Sequence, residues 1–309
     1  MLQQMTPAAI AVLGSCNMDV VAFADRAPTL GETVAGRRFA TIPGGKGANQ
    51  AIAAARAGGA VRMIGAVGDD DFGRALRTVL GEAQVDAGAV RASAEPTGIA
   101  HIVVDARGGN SIVVIPGANG TVTSLTAADE AIVANSAVLL LQLELPMEAA
   151  IAGAAVARRA GTRVILTPAP VQDLPPELLA NVDLLAPNEH EIAQITGIDE
   201  PREALRAMLE QVPEVVVTLG AEGCVYGART QGGTLHVPAP KVEAVDTTAA
   251  GDTFVGVLAV ALAEGRNMQE ALRWASAAAA LSVQRAGAST SMPKREAIDA
   301  FAALHVAPG

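Results

Sequence analysis

Asp246-Thr247-Thr248-Ala249-Ala250-Gly251-Asp252 runs directly into Thr253-Phe254-Val255-Gly256-Val257-Leu258-Ala259-Val260-Ala261-Leu262. The second segment is apolar on every side, which is the pattern of a buried helix, so Gly251 and Asp252 belong to its first turn. A helix start presents unpaired backbone N–H groups and a partial positive charge. Small residues there let an anion come close to the backbone. A carboxylate in the same turn can take a proton from a hydroxyl beside that anion. Cradle and base together point to phosphoryl transfer to an alcohol. An Asp N-cap after a turn accounts for Asp-Gly alone; the whole string before a buried helix argues for the chemical reading.

Upstream, strands and helices alternate. Ala9–Gly14 reads as a buried strand, and two further strands are expected near Val20–Phe23 and around Thr33–Arg38. Gly47–Ala57 reads as an Ala-rich helix, Val61–Val67 as a strand and Asp71–Gly81 as a helix. Further strands are predicted near Ala137–Gln142, Arg163–Thr167, Val182–Ala186 and Glu214–Leu219. Helices are predicted near Pro146–Ala160 and Asn188–Gly197, then over Gly251–Glu264, Met268–Arg285 and Pro293–His305. This alternation implies an α/β fold with a mainly parallel central sheet and helices on both faces. Ile99–Asp105 and Ser111–Ile115, joined by a Gly-Gly-Asn turn, break the rhythm as a hairpin. With the strands near 17–43 they form a small projecting sheet, a candidate lid over a cleft. The expected organisation is one domain over 1–309, with the lid formed by about 17–43 and 98–118.

Composition narrows the function. The 309 residues are half hydrophobic but only 2% aromatic, so Ala, Val, Leu and Gly must fill the core. A net charge of −10 without a long basic run argues against nucleic-acid or anionic-membrane binding. No segment reaches the ~18 uninterrupted apolar residues of a membrane span. Two cysteines, Cys16 and Cys224, do not make a disulfide scaffold and suit a reducing, cytoplasmic setting. The first arginine is Arg26, so the N-terminus lacks the basic region of a signal peptide. Four scattered histidines form no catalytic pattern.

Other polar motifs fall where strands end. Asn17 and Asp19 follow the first strand and, two apart, point the same way in extended chain. An acid and an amide together match vicinal hydroxyls. Pro43-Gly44-Gly45-Lys46-Gly47-Ala48-Asn49-Gln50 opens a helix. It has neither the P-loop nor the dinucleotide spacing, which also removes a hydride-transferring dehydrogenase from consideration. Its glycines free backbone N–H groups; Lys46 can meet a transferring phosphate and Asn49 a hydroxyl. Glu144 closes one strand. Asn188 closes another and is either an N-cap or, with Glu191, a contact to phosphate or to a metal's water shell. Thr218 and Gly220 sit where a strand meets a glycine turn; taken alone this is best read as a strand-to-hairpin turn, and the other reading is the wall of a nucleotide pocket.

In this order the motifs resemble the ribokinase group of PfkB-type carbohydrate kinases. The resemblance runs from Gly14-Ser15-x-Asn17-x-Asp19 to Gly287-Ala288-Ser289-Thr290-Ser291, nearly the whole chain. It implies a Rossmann-like core, a β lid that also clasps a homodimer, and ATP-dependent phosphorylation of D-ribose at its 5-hydroxyl. By matching motif, Asn17, Asp19, Gly45, Lys46, Asn49 and Glu144 are implied as sugar contacts and Asp252 as the base. Ala249, Ala250 and Gly251 are implied as the anion hole, and Asn188, Thr218, Gly220, Gly223, Gly251 and Ser276 as nucleotide contacts. Mg²⁺ is expected with ATP. A potassium ion is expected beside the anion hole, at Asp246, Thr248, Ser282, Arg285, Gly287 and Ser291. Val257 and Ser276 depart from the usual family residues. The alternatives are another sugar or nucleoside kinase of the group (deoxyribose, fructose or adenosine) and a silent sugar-binding protein. A scarcity of aromatics to stack a second base disfavours adenosine.

Overall fold

A computed structural model describes residues 8–305. The strands are β1 (Ala9–Leu13), β2 (Asn17–Ala24), β3 (Gly36–Gly44), β4 (Ala60–Gly68), β5 (Asp86–Ser93), β6 (Gly98–Val104), β7 (Asn110–Ile115), β8 (Val138–Leu141), β9 (Arg163–Leu166), β10 (Leu184–Leu185), β11 (Glu214–Thr218), β12 (Cys224–Ala228) and β13 (Thr234–Val237). The helices are α1 (Lys46–Arg56), α2 (Asp71–Glu82), α3 (Ala127–Ala134), α4 (Met147–Ala160), α5 (Pro176–Leu179), α6 (Glu189–Thr196), α7 (Pro201–Met208), α8 (Ala250–Ala263), α9 (Met268–Ser282) and α10 (Arg295–Leu304).

The main sheet runs β13-β12-β11-β10-β9-β8-β1-β4-β5. It is parallel from β11 through β5 and antiparallel only at β12 and β13. β1 starts in the middle; the chain then builds β4 and β5 on one side and β8 to β13 on the other. That reversal opens a crevice at the carboxyl ends of β1 and β8, the usual ligand position in such sheets.

β1 shows why both faces are covered. Ile10 and Val12 point into one apolar cluster with α1, α8 and α9, while Ala11 and Leu13 point into the other with α4 and α7. Small residues set the spacing on the first face. A Cβ on Gly256 of α8 would lie 2.6 Å from the Gln50 carbonyl and 2.8 Å from Ala53 Cβ. α1 and α8 therefore approach backbone to backbone.

The second sheet has the order β3-β2-β6-β7, with β2 parallel to β6 and antiparallel pairs at both edges. This is the expected lid sheet. Its second strand lies later than the expected Thr33–Arg38: pairing begins at Ala24–Gly36 and runs to Asn17–Gly44. Residues before it are held in a turn, where Glu32 accepts from Thr29 N at 3.1 Å and pairs with Arg26. β3 also passes through Pro43, which is tolerated because β3 is an edge strand. α9 stops at Ser282 instead of Arg285, because the Val283 carbonyl accepts from Val245 N (2.7 Å) and Asp246 N (3.1 Å). Among the described residues no helix is long and apolar enough to cross a membrane.

Candidate active site

Two cavities flank the start of α8. The first, of about 730 Å³, lies between the lid and the carboxyl ends of the central strands. Asn17, Asp19, Gly45, Lys46, Asn49, Glu144 and Asp252 all line it, with Thr248 and Ala249 at its edge. Ala100, Ile102, Ile112 and Val114 of the lid supply its apolar wall. The second, of about 470 Å³, is lined by Thr218, Gly220, Gly223, Ala250, Gly251 and Ser276, with Phe254, Ala279 and Val283 as apolar surface. Residues 247–252 thus form the partition: Thr248, Ala249 and Asp252 face one cavity, Thr247, Ala250 and Gly251 the other.

The partition begins with Ala249 in the left-handed region, at φ 57° and ψ 19°. This conformation is costly for a residue with a Cβ. No side chain caps α8, and the first backbone bond after the turn is Thr253 N to Ala249 O at 2.9 Å. The N–H groups of Gly251 and Asp252 consequently have no partner within the helix. Gly251 lines the second cavity and Asp252 the first, so these two backbone donors lie at the boundary between them.

Asp252 is buried at the junction. Its Oδ2 accepts from Asn49 Nδ2 and its Oδ1 from Gln50 Nε2, each at 3.1 Å. Burial pushes its carboxyl up to about 6, even though the Lys46 ammonium and the two amide hydrogen bonds favour the charged form. Asp19 is raised further, to about 7, by burial and then by the carboxylates of Glu144 and Asp252. Burial works against the charge on Lys46, but Asp252, Glu144, Glu191 and Asp19 together hold it above its ordinary pKa. Lys46 is therefore a fixed cation inside an acidic ring.

Gly45 holds this corner closed. It sits at φ 92°, and a Cβ there would come within 2.7 Å of Asn17 N, so only glycine lets α1 start against the end of β1. Glu144 then acts as a distant cap: its carboxylate accepts from Lys46 N at 3.0 Å and from the Ser15 hydroxyl. Asn17 is less free than expected. Its Oδ1 accepts from Asn119 Nδ2 at 2.7 Å, and Asn119 also bonds both backbone groups of Cys16. Asn17 lines the first cavity while pinning the lid to the core.

The chain matches the profile of the pfkB family carbohydrate kinases over residues 7–295. It belongs to that family. A pfkB kinase is a phosphotransferase. Among its relatives, the ribokinase of Bacillus subtilis is 41% identical over 300 residues, covering 94% of this chain and 98% of that one. The ribokinase of Haemophilus influenzae is 39% identical, covering 93% and 96%. The structure of Arabidopsis thaliana ribokinase complexed with ribose and ATP has a TM-score of 0.90 at 34% identity, covering 96% of this chain and 99% of that one. Ribokinase from Thermotoga maritima has a TM-score of 0.87 at 38% identity, covering 95% and 99%.

The remaining expected residues of this pfkB kinase divide. Asn188 does not line the second cavity; it caps α6 in a reciprocal box with Glu191, at 2.8 Å in both directions. Its backbone bridges to Thr218, which does line it. Of the proposed potassium set, Asp246, Thr248 and Gly287 meet. Asp246 accepts from Thr248 N (2.9 Å), Thr248 Oγ1 (2.6 Å) and Gly287 N (2.8 Å). Burial alone would raise Asp246, but these bonds hold its carboxyl below the usual range. Ser282 and Ser291 give their hydroxyls to Ala279 O and Ala288 O in their own segment. Arg285 lines a separate cavity with Arg56 and Lys294. Glu191, expected beside Asn188, lines the first cavity; Gln50, Ser15 and Asn119 bond its lining residues and lie outside the expected set. Gln50 follows Asn49 in the glycine-rich string, and that adjacency is its only sequence signal.

Proposed function

We propose that this pfkB kinase transfers the γ-phosphoryl group of ATP to the 5-hydroxyl of D-ribose. One observation carries the reading: a buried carboxylate and an uncapped helix start lie between two cavities, one under the lid sheet with Asn17, Asp19, Lys46 and Asn49 in its wall, the other lined by Ala250 and Gly251 of the helix start. The ribokinase relatives and the ribose- and ATP-bound structure of one of them support the choice of sugar and donor. Ribose fits the first cavity. Asp19 and Asn49, which both line it, hold its vicinal hydroxyls. ATP fits the second cavity, with its phosphates toward Ala249, Ala250 and Gly251.

Asp252 accepts the hydrogen bond of the 5-hydroxyl and takes its proton as the new O–P bond forms and the bond to ADP breaks. The transition state is loose, so the proton moves late. In the 249–251 turn the Gly251 N–H is free to stabilise charge on the transferring group, while Ala250 N–H is donated to Thr247 O at 3.2 Å; Lys46 adds a cation at the sugar side. The lid excludes water, which limits hydrolysis of ATP.

Two ions accompany this reading. Among the described residues no cluster of three or more His, Cys, Asp or Glu could hold a metal, so Mg²⁺ would be held chiefly by the ATP phosphates. Asp246, the Thr248 hydroxyl and neighbouring backbone carbonyls offer oxygen donors with a single negative charge, a set that suits a monovalent cation such as K⁺. Such an ion would order the loop that carries the anion hole. A cytoplasmic homodimer is part of the same proposal: the lid exposes Phe39, Val113 and Ile115, an apolar surface suited to a second copy.

The test is ADP release over a panel of pentoses and hexoses, with and without K⁺, and phosphorus NMR of the product. Ribose should be the best acceptor and carry the phosphate at its 5-position. Preference for another sugar would overturn the substrate assignment.

A further inference from the structure

The Asp252 carboxylate is held from behind by a one-way chain of amides that never reaches the cavities. Gln142, just after β8, donates Nε2 to Gln50 Oε1 at 2.6 Å. Gln50 then donates Nε2 to Asp252 Oδ1 at 3.1 Å and to Thr167 Oγ1 at 3.2 Å. Gln50 is 0% and Gln142 1% exposed. Neither lines the sugar or the nucleotide cavity.

The direction of the chain is forced. A flipped Gln50 would turn its carbonyl onto a carboxylate. A flipped Gln142 would set two carbonyl oxygens against each other. Gln142 is also wedged: a Cβ on Gly14 would lie 2.1 Å from its Oε1. That Oε1 is buried without a partner. An orphaned acceptor is kept in a core at a cost to stability, and here the amide carrying it sets the orientation of the next one.

We propose that Gln50, locked in one orientation by Gln142, is a positioning residue that aims Asp252 at the acceptor hydroxyl. This rests on Asp252 being the base. Gln50 occupies the Oδ1 side, so the carboxylate presents its other edge to Asn49 and the sugar cavity. Its hydrogen bond also favours the ionised base against burial. The charged groups facing Asp252 are Lys46 from α1, Asp19 from β2 and Glu144 after β8; none replaces a donor on the buried side.

The test compares Gln50→Met, Gln142→Met and Asp252→Asn, with the methionines chosen to keep volume. Gln50→Met should lower kcat about 10- to 50-fold while the ribose KM stays within about threefold. The acid limb of its kcat profile should move to higher pH. Gln142→Met should move that limb the same way by a smaller amount. An unmoved limb in Gln50→Met, whatever happens to kcat, overturns the proposal. If Gln50→Met does not fold, Gln142→Met decides by the same criterion. Normal turnover in Asp252→Asn would instead remove the base assignment, whereas an inactive Asp252→Asn beside an unaffected Gln50→Met removes only the positioning role.

Discussion

Asn49 Nδ2 donates to Asp252 Oδ2 at 3.1 Å, although the two residues are 203 positions apart. The bond exists because α1 and α8 pack through Ala53 and Gly256 without intervening side chains. It joins the proposed sugar contact to the proposed base. Asp252→Asn keeps the shape but cannot take a proton, and should lower kcat by about 100-fold or more. Asn49→Ala should mainly raise the ribose KM. Steady-state kinetics on ribose checks both; near-normal turnover in Asp252→Asn would count against the mechanism.

Activity should fall on the acid side. Asp252 must be ionised to accept a proton, and its carboxyl is raised to about 6. Asp19, raised to about 7, is half-buried in the same cavity. Hence kcat/KM should drop as pH falls from 7 through 6. A pH–rate profile flat down to pH 5 would refute this.

Asp19 should trade stability for affinity. Its folded pKa of about 7 lies above its ordinary 3.8, so the folded state binds this proton more tightly than the unfolded one. The resulting stabilisation is complete below 3.8 and lost as pH rises through about 7. At pH 8 the charged carboxylate is a burden on the empty protein. Asp19→Asn should therefore melt at a higher temperature at pH 8, with the difference vanishing near pH 4, and should bind ribose at least about tenfold more weakly. Thermal melts at both pH values and calorimetric titration with ribose test the pair.

Ala249 carries the backbone strain of the anion hole at φ 57°. Ala249→Gly should be neutral or stabilising by up to about 1 kcal/mol. Ala249→Val places a branched side chain in the left-handed region and should cost about 1–3 kcal/mol and lower kcat. Denaturant melts and kcat decide; a fully active, stable Val variant would contradict this account.

Asp246 links the loop before α8 to the loop at Gly287. Asp246→Ala should abolish any rate response to K⁺ and reduce kcat about tenfold, with the ribose KM changed little. Titrating K⁺ against the rate of both proteins checks it; a retained response would place the cation elsewhere.

Much of the architecture follows from local pattern. Buried strands such as β1 and β8 are continuous apolar runs, and α8 is almost wholly apolar after Asp252 and Thr253, so burial on two sides is written in them. β5 was not evident: Asp86-Ala-Gly-Ala-Val-Arg-Ala-Ser has weak strand propensity and is held by its register with β4. The displaced β3 has the same cause, since its bounds are set by pairing with β2.

The sequence by itself determined the chemical parts of this protein: small residues then an acid at a helix start, a glycine-lysine turn, and polar residues at the ends of apolar strands. Those depend on side-chain size and helix-end geometry, which are local. Tertiary structure alone decided which parts meet. It set Gln50 and Gln142 behind Asp252, gave Asn17 to Asn119 and brought Asp246 to Gly287. Such partnerships join residues far apart in the chain, and they are set by sheet order and by how closely two helices can pack.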